Sequence, residues 1–207
     1  MRIGILISGR GSNMVALIDA VKSGEIPDST VEVVISDQAD AAGLAKAAER
    51  GVEIFVIERK RSVDANGAPV KTREEHDAEI IAELQKRGVE LVCLAGYMRL
   101  LSPLFVQAFP NRIINIHPSL LPAYPGLHVH ERVLAAGEKV SGCTVHFVDE
   151  LLDHGDVILQ RQVPVLPDDT PETLSARILE QEHGAYVEAI RRIVTTENTE
   201  TTEKASN

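Results

Sequence analysis

Seven short apolar, β-rich runs alternate with helical patterns along this chain, and that alternation restricts its fold more than any other feature. Runs at 3–7, 31–35, 53–57, 89–95, 112–116, 143–148 and 157–165 are separated, for most of the length, by helical periodicity near 13–22, 40–50, 71–87, 103–109, 128–137 and 171–194. Strands that recur after intervening helices pair in parallel through crossover connections. The early runs are nearly continuous in Val, Ile and Leu, as strands covered on both faces require. The last two runs are joined by a polar loop rather than a helix, which predicts an antiparallel hairpin. The expected class is therefore α/β, a doubly wound, mostly parallel sheet of Rossmann-like type with a late hairpin.

With 207 residues, 44% of them hydrophobic, the chain can bury a full core. Without a linker-like stretch, residues 1–194 are expected to form a single domain. Residues 195–207 are mostly Thr, Glu, Asn and Ser and read as a disordered acidic and polar tail. The opening apolar run is too short for a signal h-region or a membrane span, so a soluble, cytoplasmic protein is expected. A net charge of −10 argues against general affinity for nucleic acid or an anionic membrane, and Arg59-Lys60-Arg61 reads as a solvated loop. Cys93 and Cys143 lie inside apolar strand-like runs, where intracellular thiols behave as small hydrophobes.

In open α/β sheets, ligands gather beyond the carboxyl ends of the strands, and the unusual motifs of this sequence fall at such ends. Ser8-Gly9-Arg10-Gly11-Ser12-Asn13 follows the first strand and opens a helix. Its glycines free backbone N–H groups beside the positive end of the helix dipole, a cradle for one phosphate. It lacks the Gly-Lys-Ser/Thr of a Walker loop and the third glycine of a dinucleotide fingerprint. The alternative is an ordinary strand-to-helix turn with Ser12 or Asn13 as N-cap. In Leu94-Ala95-Gly96-Tyr97-Met98-Arg99-Leu100-Leu101-Ser102-Pro103, a buried strand ends in an apolar loop. That loop suits a flat heterocycle, or else Met98, Leu100 and Leu101 plug the core.

Asn115-Ile116-His117 places an amide and an imidazole two residues apart on a strand, hence on one face. Such a pair suits an oxygen that gains negative charge in acyl transfer, unless it is only a strand-end cap with a backbone-satisfied histidine. A carboxylate from the loop His146-Phe147-Val148-Asp149-Glu150-Leu151-Leu152-Asp153-His154-Gly155-Asp156 would fix the tautomer of His117, and four acids there compete for the role. The histidines 117, 128, 130 and 146 form no recognisable metal pattern: His128-Val129-His130 could chelate only from extended chain, and a helix is expected to start there. No metal is expected.

The run NIHPSLLPAYPGLHVH, with ISGRGSN and LAGYMRLLSP before it and VHFVDELLDHGDVIL after it, closely resembles the phosphoribosylglycinamide formyltransferase family of purine biosynthesis, over about residues 1–190. The resemblance implies the formyltransferase version of the fold. It also implies formyl transfer from 10-formyltetrahydrofolate, as cosubstrate and without metal, to the amine of glycinamide ribonucleotide. By the family pattern Asn115, His117 and Asp153 are the catalytic trio, the last being the aspartate of Leu152-Asp153-His154-Gly155. The ribonucleotide is implied to meet Gly11, Ser12, Asn13 and Glu182. The folate is implied to meet Arg73, Met98, Arg99, Leu100, Leu101, Asn115 and the loop Asp149, Glu150, Leu151, Leu152 and Asp153. Arg10 stands where the family has a small residue, and His154 where a glycine is frequent. The polar stretch 61–75 reads as a flap.

Two relatives in chemistry compete with this reading. A 10-formyltetrahydrofolate deformylase would use a similar trio with water as acceptor and normally carries an N-terminal regulatory module. A methionyl-tRNA formyltransferase would add a basic C-terminal domain, where this sequence has an acidic tail. A noncatalytic phosphometabolite-binding module would have kept the glycine loop alone, against the retention of all three catalytic residues. The oligomeric state is not read from the sequence.

Overall fold

The computed structural model describes residues 1–58 and 71–205, with side chains described as far as 196. Arg59-Lys60-Arg61 and most of the expected flap, 61–70, lie outside the described residues. The element order is β1 (Arg2–Ile7), α1 (Ser12–Ser23), β2 (Thr30–Ser36), α2 (Ala42–Glu49), β3 (Ile54–Val56), α3 (Arg73–Lys86), β4 (Leu91–Leu94), α4 (Pro103–Ala108), β5 (Ile113–His117), α5 (Val129–Ala135), β6 (Val140–Phe147), β7 (Val157–Pro164) and α6 (Pro171–Ala205). The strands form one sheet in the order β3-β2-β1-β4-β5-β6-β7. Pairs β1–β2, β1–β4 and β2–β3 are parallel, and β6–β7 is the antiparallel hairpin that the missing helix predicts. The α/β class, the largely parallel sheet and the hairpin therefore stand as expected.

By contacts the chain forms two compact units, Met1–Val15 with Thr30–Ile114, and Ala16–Ser29 with Asn115–Asn207. Two of the three boundaries fall inside α1 and β5 and the third at the start of β2, so no composition shift in the sequence marks them. The backbone of 195–205, expected from composition to be disordered, continues α6 as far as Ala205. No glycine or proline interrupts that stretch, and the hydroxyls of Thr195 and Thr196 donate to the Arg191 and Arg192 carbonyls one turn back.

In the first unit the inner strands β1, β2 and β4 are largely dry, whereas β3 at the sheet edge is exposed at Ile54 and Val56. Ile3, Ile5, Leu6 and Ile7 of β1, Val33, Val34 and Ile35 of β2, and Leu91, Val92, Cys93 and Leu94 of β4 are all buried. Removing runs of branched apolar side chains from water on both faces is the main force holding these strands together. Helix α3 starts at a capping box, in which Glu75 N–H donates to the Thr72 hydroxyl and Thr72 N–H donates to the Glu75 carboxylate.

The same helix carries a buried carboxylate, Asp77, which accepts the Ser102 N–H (2.7 Å) just before α4. His76 lies 3.5 Å from Asp77 through Nδ1 and donates from Nε2 to the Ile57 carbonyl (2.8 Å). Burial alone would raise the Asp77 pKa, yet the hydrogen bonds from His76 and Ser102 hold it below the usual carboxylate value. A depressed carboxylate stabilises the fold above its unfolded pKa of about 4 and loses that contribution as the pH falls through its folded value. Asp77→Ala should therefore lower unfolding stability by about 2 kcal/mol at pH 7, from the lost charge-assisted bond. Denaturant melts of the two proteins should converge as the pH drops below about 4.

Candidate active site

In the second unit, β5 ends by delivering two polar side chains, with Asn115 partly exposed and His117 buried. The loop after β6 returns Asp153 to them. The His117 Nδ1 lies 3.4 Å from Asp153 Oδ2, and the same oxygen accepts the Gly126 N–H at 2.8 Å. The other face of the His117 ring is fixed as well, because Nε2 is 3.0 Å from the Tyr124 carbonyl. A carbonyl can only accept, so Nε2 carries the hydrogen. Both ring nitrogens then face oxygen acceptors, an arrangement that the doubly protonated ring satisfies in full.

A third group, weighed in the sequence only as a metal ligand, joins the cluster. His146 lies on β6, where the register with β7 slips between Val145 and His146. Such a bulge re-aims the side chain that follows it. The His146 Nδ1–H donates to the Phe147 carbonyl (2.8 Å), leaving Nε2 as an acceptor for the Asn115 Nδ2–H at 3.3 Å. That bond determines which way the Asn115 amide points. Burial pushes the His146 pKa down, more than the Phe147 carbonyl and the Asp153 charge restore, so the ring is neutral as its acceptor role requires. Asp153 Oδ1 stands 3.9 Å from the same Nε2. A single carboxylate thus faces two imidazoles, one at each oxygen.

Two residues here hold the left-handed backbone region that side chains disfavour: Tyr124 at φ 56° and Asp153 at φ 49°. Strain of this kind persists only where the surroundings impose it, and here the two residues supply the carbonyl and the carboxylate that grip His117. The Leu121-Pro122 bond is cis. His154 does not take the positive φ that a glycine would offer. It is exposed and pairs through Nδ1 with Asp149 Oδ2 (2.8 Å), while Asp149 Oδ1 accepts the Leu151 N–H. Glu150, Leu151 and Leu152 are exposed along this loop.

Glu182 is buried on α6. Burial, with the Glu182 carboxylate nearby, pushes the Cys143 thiol up to about 12, so that cysteine is inert as the sequence suggested.

The first unit holds the glycine loop and the apolar loop. Gly11, at φ 67°, precedes Ser12, the first residue of α1, and Asn13 is buried one residue further on. No acidic residue occupies the first turn of α1, so its N–H groups and dipole remain favourable to an anion. The loop is held from behind by α2: the Gly43 N–H donates to the Gly9 carbonyl (2.9 Å), and Lys46 Nζ to the Arg10 carbonyl (2.8 Å). A Cβ on Gly43 would come within 2.6 Å of Ile7 Cδ1 and 3.0 Å of the Gly9 oxygen. Gly43, in the first turn of α2, is a glycine with a packing reason, invisible until α2 is set against the loop. In the apolar loop, Met98 and Leu100 are 70% and 52% exposed, whereas Leu101 is buried. Only Leu101 behaves as the core plug that the sequence allowed for all three. The Arg99 Nε binds the buried Asp37 carboxylate. Arg73 opens α3 and lies 3.6 Å from Glu74.

Among the described residues, no group of three or more His, Cys, Asp or Glu side chains could hold a metal ion, and no helix is long and apolar enough to cross a membrane.

The model of the formyl transferase family matches residues 1–190. The phosphoribosylglycinamide formyltransferase of Escherichia coli is 44% identical over 186 residues, which cover 90% of this chain and 84% of that protein. The trifunctional purine biosynthetic protein adenosine-3 of Drosophila melanogaster is 47% identical over 194 residues. Those residues are 93% of this chain but 14% of that much longer protein, so the chain spans about one seventh of its length. Among solved structures, glycinamide ribonucleotide transformylase 1 of Symbiobacterium toebii superposes with a TM-score of 0.87 at 50% identity, covering 95% of this chain and 88% of that one. The phosphoribosylglycinamide formyltransferase of Brucella melitensis gives 0.84 at 47% identity, covering 93% and 95%. With its glycine loop, its apolar loop and an Asn-His-Asp cluster at the end of β5, the chain belongs to the formyl transferase family.

Proposed function

We propose that this protein is a phosphoribosylglycinamide formyltransferase, which moves the formyl group of 10-formyltetrahydrofolate to the amine of glycinamide ribonucleotide and releases formylglycinamide ribonucleotide and tetrahydrofolate in purine biosynthesis. The observation that carries this reading is the convergence of Asn115, His117 and Asp153 within one unit, in a chain 44% identical to a phosphoribosylglycinamide formyltransferase over most of both proteins. The phosphate of the ribonucleotide is assigned to Gly11, Ser12 and Asn13, and its glycinamide or ribose end to Glu182. The folate is assigned to Arg73, Met98, Arg99, Leu100, Leu101, Asn115 and the loop 149–153. Two buried cysteines, neither in a disulfide, suit a reducing compartment and support a cytoplasmic enzyme.

The chemistry follows from the hydrogen-bond directions. When the amine attacks the formyl carbon, the carbonyl oxygen gains negative charge in a tetrahedral intermediate. Asn115 gives one N–H to His146 and keeps the second for that oxygen. The His117 Nε2–H, engaged by the Tyr124 carbonyl, exchanges this neutral acceptor for the charged oxyanion, a stronger partner. Asp153 holds the ring from Nδ1 and balances its charge. Collapse breaks the bond to the folate nitrogen, and the proton lost by the attacking amine ends on that nitrogen, so the transfer is proton-neutral overall. Holding both substrates together supplies the entropic part of the acceleration.

His117→Ala and Asp153→Asn should each lower kcat by about 100-fold or more, with KM for both substrates changing far less. Near-normal kcat in His117→Ala at saturating substrate would remove the ring from the reaction. Loss of folate absorbance should depend on added glycinamide ribonucleotide; turnover that proceeds equally without it would assign the protein to hydrolysis instead. His146 gives a pH prediction. Its depressed pKa means that its stabilising contribution is complete above about pH 6.5 and is lost as the pH falls toward the folded value. The ring should titrate below 6.5 by NMR, and kcat should decline over the same interval as Nε2 becomes a donor facing the Asn115 N–H. A midpoint at or above 6.5 would contradict the acceptor role.

A further inference from the structure

The exposed apolar loop of the first unit is tethered by a carboxylate to which the catalytic reading gives no task. Asp37 follows β2 directly and is buried. Its Oδ1 accepts the Ser8 hydroxyl (2.6 Å), and its Oδ2 accepts Arg99 Nε (2.5 Å) and Gln38 Nε2 (3.0 Å). The Ser8 hydroxyl in turn accepts the Met98 N–H (2.8 Å), and the Ser8 N–H donates to the Gly96 carbonyl (3.1 Å). The chain segments leaving β1, β2 and β4 are therefore joined through one negative charge. The far end of the loop is pinned separately, by Asp77 at the Ser102 N–H.

This tether explains an otherwise costly arrangement. Met98 and Leu100 stand exposed while Arg99, between them, turns a long cation inward to a buried acid, with only 18% of its side chain accessible. Arginine normally keeps its head in water and apolar side chains normally leave it, so the loop is inverted relative to what solvation alone would select. With residue 99 drawn inward, Met98 and Leu100 on either side of it are the exposed residues. An ion pair to a buried carboxylate, with both oxygens engaged by named donors, is strong enough to impose that inversion.

We propose that Asp37 is a positioning residue for the formyl donor: by holding Arg99 and, through Ser8, the Met98 amide, it fixes the Met98 and Leu100 side chains outward as a preformed apolar platform for the flat ring of the folate. Ser8 also opens the glycine loop, so the same carboxylate ties that platform to the start of the proposed phosphate cradle. Arg99 thereby acts through its internal ion pair. The proposal rests on the formyl-transfer reading for the identity of the ligand; the tether itself does not.

The test uses the full chain with Asp37→Asn, which keeps the shape but removes the charge and one acceptor, and with Arg99→Gln, which leaves Asp37 its Ser8 and Gln38 partners and reports on the same tether if the first variant fails to fold. Two readouts are taken: amide hydrogen exchange over 96–101, and steady-state kinetics with 10-formyltetrahydrofolate and glycinamide ribonucleotide. Exchange in the loop should quicken by about tenfold or more, and KM for the folate should rise by about tenfold, the change expected from one lost charge-assisted bond that orders a loop. The fall in kcat should be smaller than the rise in KM. Unchanged exchange in 96–101 overturns the tether. Faster exchange with unchanged folate KM, or with kcat falling as much as KM rises, overturns the positioning role. Absence of ribonucleotide-dependent turnover in the unmodified protein would instead defeat the formyl-transfer reading, while the exchange comparison would still decide whether Asp37 holds the loop.

Discussion

The Asp153 carboxylate is the charge around which the second unit is arranged. It sits on a residue with left-handed backbone, is held by the Gly126 N–H, and meets His117 at one oxygen and His146 at the other. Each neighbour then constrains something further. His117 is directed to the Tyr124 carbonyl, and His146 orients the Asn115 amide. Each ring gives one N–H to a carbonyl, and the difference between them lies at the other nitrogen, which meets the Asp153 carboxylate in His117 (Nδ1) and the Asn115 amide N–H in His146 (Nε2).

Much of this was legible in the sequence, because it depends on local period. Continuous apolar runs announced the inner strands, and the missing helix between 148 and 157 announced the hairpin. Period two placed Asn115 and His117 together on β5, and the glycine loop fell between β1 and α1 as expected. Asp153 was different. Four acids share its loop, and only the family resemblance separated it from Asp149, whose carboxylate is taken up by His154. The composition of 195–205 suggests disorder, whereas the backbone there continues α6.

The features that escaped the sequence are all non-local. His146 read as a possible metal ligand because nothing adjacent in the chain reveals a bulge in β6–β7 pairing. Asp37 carries no signal in the sequence, since its partners Ser8 and Arg99 lie 29 and 62 positions away. Gly43 is likewise unmarked in the sequence, and only the approach of Ile7 and the Gly9 carbonyl explains the missing side chain. Met98, Leu100 and Leu101 are alike by hydropathy, and only tertiary contacts divide them into two outward residues and one inward. Sequence pattern identifies faces of elements; it does not identify which distant polar atom will meet a face.

The irregular step between Val145 and His146 has a consequence for how this hairpin can vary. Across it, Val145 pairs with Leu159 while His146 pairs with Val157, so β7 contains one residue, Ile158, without a directly opposed partner. Deleting Ile158 would restore an even ladder, and a plain ladder is ordinarily the more regular structure. Because strand side chains alternate faces, that repair would also rotate the run beyond it out of phase. The imperfection in the pairing is thus what a neutral drift in loop length cannot touch, and the segment beside the chemistry tolerates a change of residue more readily than a change of number.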